Sequence, residues 1–246
     1  MHEQKPLENC RDNGFEESAV KKFKLFIFDC DGVLVDSEPV SAAAHKAAYA
    51  AHQVDLPNTV MARCVGMKQT DIIKLIAEEI GFVLPESDVP RIWQEAERLM
   101  RVKLEPTNGI IDFLGSDKTN RCVASSSAME RIALSLNITK VDQQFQADHF
   151  YNSAMVKNGK PAPDLFLHAA HQCSTEPQAC AVFEDSIYGI QGAMAAGMTP
   201  FGYVGGSHCG PGHDERLAKA GAAAVFHSWA EAKAYLQSSK HATMRA

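Results

Sequence analysis

The chain has seven cysteines, Cys10, Cys30, Cys64, Cys122, Cys173, Cys180 and Cys209, but no C-x-x-C pair. Such an odd, scattered set forms no disulfide framework and fits free thiols in a reducing cytoplasm. No apolar run approaches the roughly 20 residues that a membrane helix needs. Lysine and arginine form no extended run, and a formal charge of −6 argues against a nucleic-acid surface. Residues 1–22, "MHEQKPLENCRDNGFEESAVKK", lack the apolar centre of a secretory signal and read as a polar tail ahead of the fold. A cytoplasmic location is therefore expected, with no membrane and no nucleic-acid partner. Internal repeats and low-complexity tracts are also missing.

With 246 residues, 46% of them hydrophobic and 22% charged, the composition is that of an ordinary globular protein with ample material for a core. Short apolar runs bounded by turn residues recur at 25–28, 122–124, 181–183, 201–204 and 223–226, with helix-period segments between the later ones. Runs without polar alternation suit strands buried on both faces. The expected fold is thus α/β, a Rossmann-like parallel sheet covered by helices. The first two runs are separated by about ninety residues that are helical in pattern, including "TDIIKLIAEEI" (70–80) and "VPRIWQEAERLMRVKL" (89–104). This is too long for one crossover helix, so residues 40–104 read as an inserted helical subdomain, with 23–39 and 105–246 as the core. "LEPTNG" breaks the last helix before the chain returns to the sheet.

Four strand ends carry chemistry. In "KLFIFDCDGVLVDSEP", Asp29 and Asp31 project together beyond the strand, Gly32 permits a sharp departure, and Asp36 and Glu38 follow. Two carboxylates this close do not both ionise cheaply, so either one stays protonated or a cation sits between them. A solvated acidic turn also fits the stretch taken alone, whereas a calcium loop lacks its later ligands. In "RCVASSS", Ser125, Ser126 and Ser127 enter a turn before a helix that starts near Ala128. They suit either a phosphate oxygen or simple N-capping. Lys160 sits between Gly159 and Pro161 in "VKNGKPAPD", where a solvated lysine is the plainer alternative. In "AVFEDSIYGIQGA", Glu184 and Asp185 end an apolar run. Hard oxygen ligands from two strand ends are what Mg²⁺ prefers, although an acidic pair at a helix start is ordinary dipole complementation. His208, Cys209 and His213 lie in a Gly-rich loop, "SHCGPGH", without an evident zinc pattern, and read as surface or packing residues.

In this order, the four segments resemble the haloacid dehalogenase-like hydrolases over nearly all of residues 24–235. That resemblance implies a helical cap inserted after the first motif. It makes Asp29 the nucleophile that becomes an aspartyl-phosphate, and Asp31 the general acid and then base. Ser125, with Ser126 beside it, would bind phosphoryl oxygens, and Lys160 would bridge Asp29 and phosphate. Mg²⁺ would be held by Asp29, the carbonyl of Asp31, Glu184 and Asp185. Dehalogenating members lack the second acid. The beta-phosphoglucomutase branch carries a cap arginine and a histidine where this chain has Gln69 and Ser41. The likeness runs closer to bacterial sugar-phosphate phosphatases of this cap type, such as the 6-phosphogluconate phosphatases, with Lys68 as a candidate substrate contact. The expected activity is Mg²⁺-dependent hydrolysis of a small phosphorylated metabolite by a monomer or homodimer. A mutase and a silent phosphate or Mg²⁺ binder are the alternatives.

Overall fold

The computed structural model describes residues 23–64, 67 and 69–242. Six parallel strands form one sheet in the order β3-β2-β1-β4-β5-β6: β1 Leu25–Phe28, β2 Asn120–Ser125, β3 Phe150–Asn152, β4 Cys180–Glu184, β5 Thr199–Tyr203 and β6 Ala224–Phe226. The chain is a Rossmann-like α/β protein, as its unbroken apolar runs predict. All four residues of β1 are buried, because it lies at the sheet's centre between β2 and β4. The order of connection reverses there, and crevices at such switch points bind ligands in open α/β sheets.

Side-chain alternation divides the core. Phe26 and Phe28 of β1 join Val123, Ala181, Phe183 and Phe201 on one face of the sheet, while Leu25 and Ile27 join Cys122, Ala124 and Val182 on the other. The first face is an aromatic block, with Phe28 stacked on Phe183 at 4.9 Å and Trp229 on Tyr203 at 4.4 Å between ring centroids. Helices α7 (Asp164–Gln172) and α8 (Ile187–Ala195) cover the second. A side chain at Gly192 would come within 3.1 Å of Phe166, so glycine lets these two helices approach closely.

Between β1 and β2 run α1 (Glu38–Ala50), α2 (Asn58–Arg63), α3 (Gln69–Ile80), α4 (Val89–Lys103) and α5 (Ile110–Ser116). The amphipathic stretches 70–80 and 89–104 form α3 and α4 to within one residue. The outgoing and returning chains lie side by side: Asp36 N donates to Glu105 O at 3.0 Å and Thr107 N to Leu34 O at 3.1 Å. Buried Thr107 gives its hydroxyl proton to Val33 O at 2.6 Å and accepts from Trp229 Nε1 at 2.9 Å. These bonds tie the returning chain to α10 (Trp229–Ala242). The remaining helices are α6 (Met129–Thr139), after β2, and α9 (His213–Ala220), after β5.

Strand β3 has no counterpart among the runs read from sequence. It is three residues long, lies at the sheet edge and ends on Asn152, so it carries too few apolar positions to stand out. Strand β2 begins two residues before the apolar run, because Asn120 and Arg121 extend the ladder at its less buried end.

Candidate active site

The C-terminal ends of β1, β2 and β4 converge on one buried cluster. Asp29 continues β1 by donating its N–H to Phe183 O at 3.0 Å. Its carboxylate Oδ1 receives Lys160 Nζ at 2.5 Å. The same ammonium donates to Ala124 O of β2 at 3.0 Å and to Glu184 Oε1 of β4. A lysine with three charged or carbonyl acceptors and only 5% exposure is no solvated surface charge. The loop ahead of α7 delivers it, and Phe166 packs 5.1 Å from it.

Asp29, Glu184 and Asp185 each offer a carboxylate oxygen within 4.8 Å of the others, and all three residues are buried. Burial pushes the Asp29 carboxyl up despite the pull of Lys160, and the charges of Glu184 and Asp185 add to the rise. Glu184 is raised for the same first reason, desolvation, against the pull of Lys160. One ammonium, with the His208 ring on Asp185, against three carboxylates still leaves an excess of negative charge in a dry place. These clustered hard oxygens fit a Mg²⁺ ion, which would offset it. The repulsion that the sequence assigns to Asp29 and Asp31 is, in the folded chain, chiefly that of Asp29 with Glu184 and Asp185.

Two glycines make the cluster possible. Gly32 turns the chain with φ +76°, and a Cβ there would meet Asp185 Oδ2 at 2.0 Å. At Gly189 a Cβ would stand 1.9 Å from the Glu184 carboxyl carbon. Ser186, the N-cap of α8, holds that carboxylate from the other side: its hydroxyl donates to Glu184 Oε2 at 2.9 Å and accepts from Gly189 N at 3.0 Å. Gly189→Ala is therefore expected to displace Glu184 and raise the Mg²⁺ concentration for half-maximal activation about tenfold or more, as loss of ligand support does. A Mg²⁺ activation curve checks this.

Asp31 faces a different set of groups. Ser37 Oγ donates to its Oδ1 and Ser127 Oγ to its Oδ2, both at 2.5 Å. Arg131 of α6 adds Nη2 at 2.9 Å and Nε at 3.2 Å, both to Oδ1. Burial opposes ionisation, but the Arg131 guanidinium and these hydroxyls outweigh it and hold the carboxyl down at about 2. The tight turn after β1, closed by Gly32 N to Val35 O at 2.8 Å, turns this side chain toward α6. Its carboxylate is not one of the three clustered acids. The metal contact expected of Asp31 is its backbone carbonyl, which this placement leaves unchanged as an expectation.

The linkage sign follows from that depression. The Asp31 contribution to stability is full above the ordinary carboxyl value near 3.9 and is lost as pH falls toward about 2, amounting to about 2 kcal/mol. Arg131→Gln removes the two largest causes that lower this carboxyl and leaves burial to raise it. Urea denaturation curves between about pH 5 and 2.5 are therefore expected to show a shallower acid loss for the variant, from a lower starting stability.

Ser125 is buried at the end of β2, its hydroxyl accepting Ser127 N at 3.2 Å. Ser126 is exposed, and among the described residues no hydrogen bond of the site reaches it. The N-cap of α6 is Ala128, without a side-chain cap bond, so none of the three serines caps this helix. Lys68 lies outside the described residues. Gln69 begins α3 and is exposed, and Ser41 lies in α1.

Arg131, Ser37 and the partnership of Ser127 with Asp31 were not read from the sequence. A cation three residues into a helix runs against the dipole, and that was the available signal for Arg131. His208 was read as a surface or packing residue, yet its ring is 2% exposed and pairs through Nε2 with Asp185 Oδ2 at 2.8 Å. Burial opposes its charged form, but the hydrogen bond it gives to Asp185 and its contact with Cys209 outweigh that and push it up to about 11. Glu38, at the start of α1, rises to about 7 through burial, with Asp31 and Asp185 adding repulsion.

Comparison with known proteins agrees with this geometry. The family model of the haloacid dehalogenase-like hydrolases matches residues 23–197. The 6-phosphogluconate phosphatase of Escherichia coli (strain K12) is 27% identical over 194 residues, covering 78% of this chain and 87% of that protein. Among solved structures, a haloacid dehalogenase-like protein of unknown function from Agrobacterium tumefaciens is 32% identical with a TM-score of 0.78, covering 88% of this chain and 98% of its own. A family hydrolase of Deinococcus radiodurans, solved with bound phosphate and sodium, is 27% identical with a TM-score of 0.74, covering 89% and 97%. With its acids and lysine gathered at the sheet's switch point and the family match running through the three strand ends and the Lys160 loop, the chain is an enzyme belonging to the haloacid dehalogenase-like hydrolases.

Proposed function

We propose that the protein hydrolyses a phosphomonoester of a small metabolite, a sugar phosphate or sugar-acid phosphate, through an aspartyl-phosphate on Asp29. The observation that carries this reading is the contact of Lys160 with Asp29, Glu184 and the β2 carbonyl at once. The bridge sets a fixed cation between the Asp29 and Glu184 carboxylates, with Asp185 beside them, as a phosphoryl-accepting carboxylate requires. Support also comes from the phosphatase among the relatives and from the phosphate held by the Deinococcus structure.

Asp29, Glu184 and Asp185, with the Asp31 carbonyl, would hold Mg²⁺, which supplies charge neutralisation for the phosphoryl group. Asp29 attacks phosphorus. Lys160 keeps the attacking carboxylate oriented and offsets the charge that develops on the phosphoryl oxygens. Ser125, buried beside them, donates to one of those oxygens. Asp31 protonates the leaving alkoxide and afterwards removes a proton from water. Held as a carboxylate by Arg131, it is set for the second of these roles. The first requires Arg131 to release Oδ1. Residues 40–104 act as the cap, with Lys68 as a contact for the substrate body, while Ser126 lies beside Ser125 at the phosphoryl end.

Hydrolysis of p-nitrophenyl phosphate with Mg²⁺, followed by kcat/KM over a panel of sugar phosphates and sugar-acid phosphates, tests this. Absence of phosphate release from every member would sink the proposal. Conversion of β-glucose 1-phosphate to the 6-phosphate without free phosphate would favour a mutase instead.

A further inference from the structure

The loop after β5 and the first residue of α9 hold two histidines and a cysteine for which hydrolysis has no use. His208, Cys209 and His213 each present a ligand atom, and these atoms lie within 4.8 Å of one another. Nitrogen and sulfur donors at about 2.0 and 2.3 Å from one tetrahedral ion stand roughly 3.3–3.6 Å apart. Cys209 Sγ and His208 Nε2, at 3.2 Å, are already near that separation. Closing the set takes small side-chain movements.

The surroundings are those of a ligand set. Arginine can only donate, so the 3.1 Å contact from Arg216 Nη2 makes His213 Nδ1 an acceptor, and Nε2 carries the proton given to Asp185 O at 2.6 Å. A ring nitrogen that donates to a carbonyl while the other presents its lone pair is the usual state of a metal-binding histidine. Arg216 is exposed and free to yield its place. His208 Nε2 faces both Asp185 Oδ2 at 2.8 Å and Cys209 Sγ at 3.2 Å, so an ion bound there displaces its proton and takes the place of the Asp185 contact. Bracing Asp185 would require the two histidines alone. The half-buried thiol changes the chemistry, because a nitrogen and sulfur set prefers Zn²⁺ to Mg²⁺.

We propose that His208, Cys209 and His213 bind a thiophilic divalent cation, Zn²⁺ or one like it, and that this ion weakens Mg²⁺ binding at Asp185 and so slows hydrolysis. The two cations would lie on either side of one carboxylate, where their repulsion opposes joint occupancy. Linkage makes the effect reciprocal. The inhibition rests on the hydrolase reading; the binding does not.

Co²⁺, added alone to the full chain, tests binding through the near-ultraviolet absorption of a cobalt–thiolate bond. The band is expected in the wild type and should be lost in Cys209→Ser, while in His213→Gln it should appear with apparent affinity lowered about tenfold or more, the cost of losing a ligand. Zn²⁺ is expected to raise the Mg²⁺ concentration for half-maximal activity about tenfold in the wild type. In Cys209→Ser that shift should vanish, each protein being scored against its own zinc-free curve. A wild type without the thiolate band, or a Cys209→Ser variant that keeps the band or responds to Zn²⁺ as the wild type does, overturns the site. A cobalt–thiolate band on a protein that hydrolyses no phosphate ester upholds the site and overturns the hydrolase reading.

Discussion

Asp29→Asn is expected to lower kcat for phosphate-ester hydrolysis by about 10⁴-fold or more while leaving the fold at least as stable as before. The amide keeps the shape of the carboxylate but cannot attack phosphorus, so the reaction loses its first bond-forming step and not merely some rate. Its oxygen can still accept from Lys160 Nζ and so hold the bridge to Ala124 O and Glu184. Removing one of three crowded negative charges also relieves a site where burial and the neighbouring acids already push Asp29 up. Thermal denaturation alongside kinetics separates the two effects. A Tm equal to or above that of the wild type with undetectable turnover is the expected pair of results. Turnover within tenfold of the wild type would remove Asp29 from the mechanism.

The parts of this site legible in the sequence are those fixed by a strand end. Asp29, Ser125 and Glu184 each end or directly follow a buried strand, and Asp185 comes one residue later, so parallel register alone brings them to one edge of the sheet. Lys160 was visible because glycine and proline confine it. Arg131 was not, since its contact with Asp31 spans 100 residues and depends on how the turn after β1 meets α6. The two acids of "DCDG" look equivalent in the sequence. In the fold a glycine turn sends one to a lysine and the other to an arginine, and their carboxyls shift in opposite directions. His208 was hidden for a related reason: only the packing of its loop against Asp36, whose Oδ1 accepts Ser207 N at 3.2 Å and Ser207 Oγ at 2.9 Å, carries it to Asp185.

Lys160→Met should reduce both activity and stability, and the stability loss should depend on pH and on divalent cation. With the ammonium gone, Asp29 and Glu184 remain buried beside Asp185 without their shared counter-charge. Breaking a buried pair from one side costs about 3–5 kcal/mol, and loss of a fixed cation at the developing phosphoryl charge about 10²–10³ in kcat. The pH sign follows from the direction of the shifts. Both carboxyls already lie above their ordinary values, and removing Lys160 raises them further. Between the ordinary value near 4 and the raised one, the folded variant binds more protons than the unfolded chain, so its stability falls as pH rises. The deficit should thus be smaller near about pH 5 than near about pH 8. Mg²⁺ at about 100 times its dissociation constant would return about 2.7 kcal/mol by binding only the folded form. It should help the variant at about pH 8 in particular, where its acids are most ionised. Urea denaturation at both pH values, with Mg²⁺ and with EDTA, measures all four corners. A deficit independent of both pH and Mg²⁺ would mean that Lys160 contributes packing against Phe166 and not charge balance.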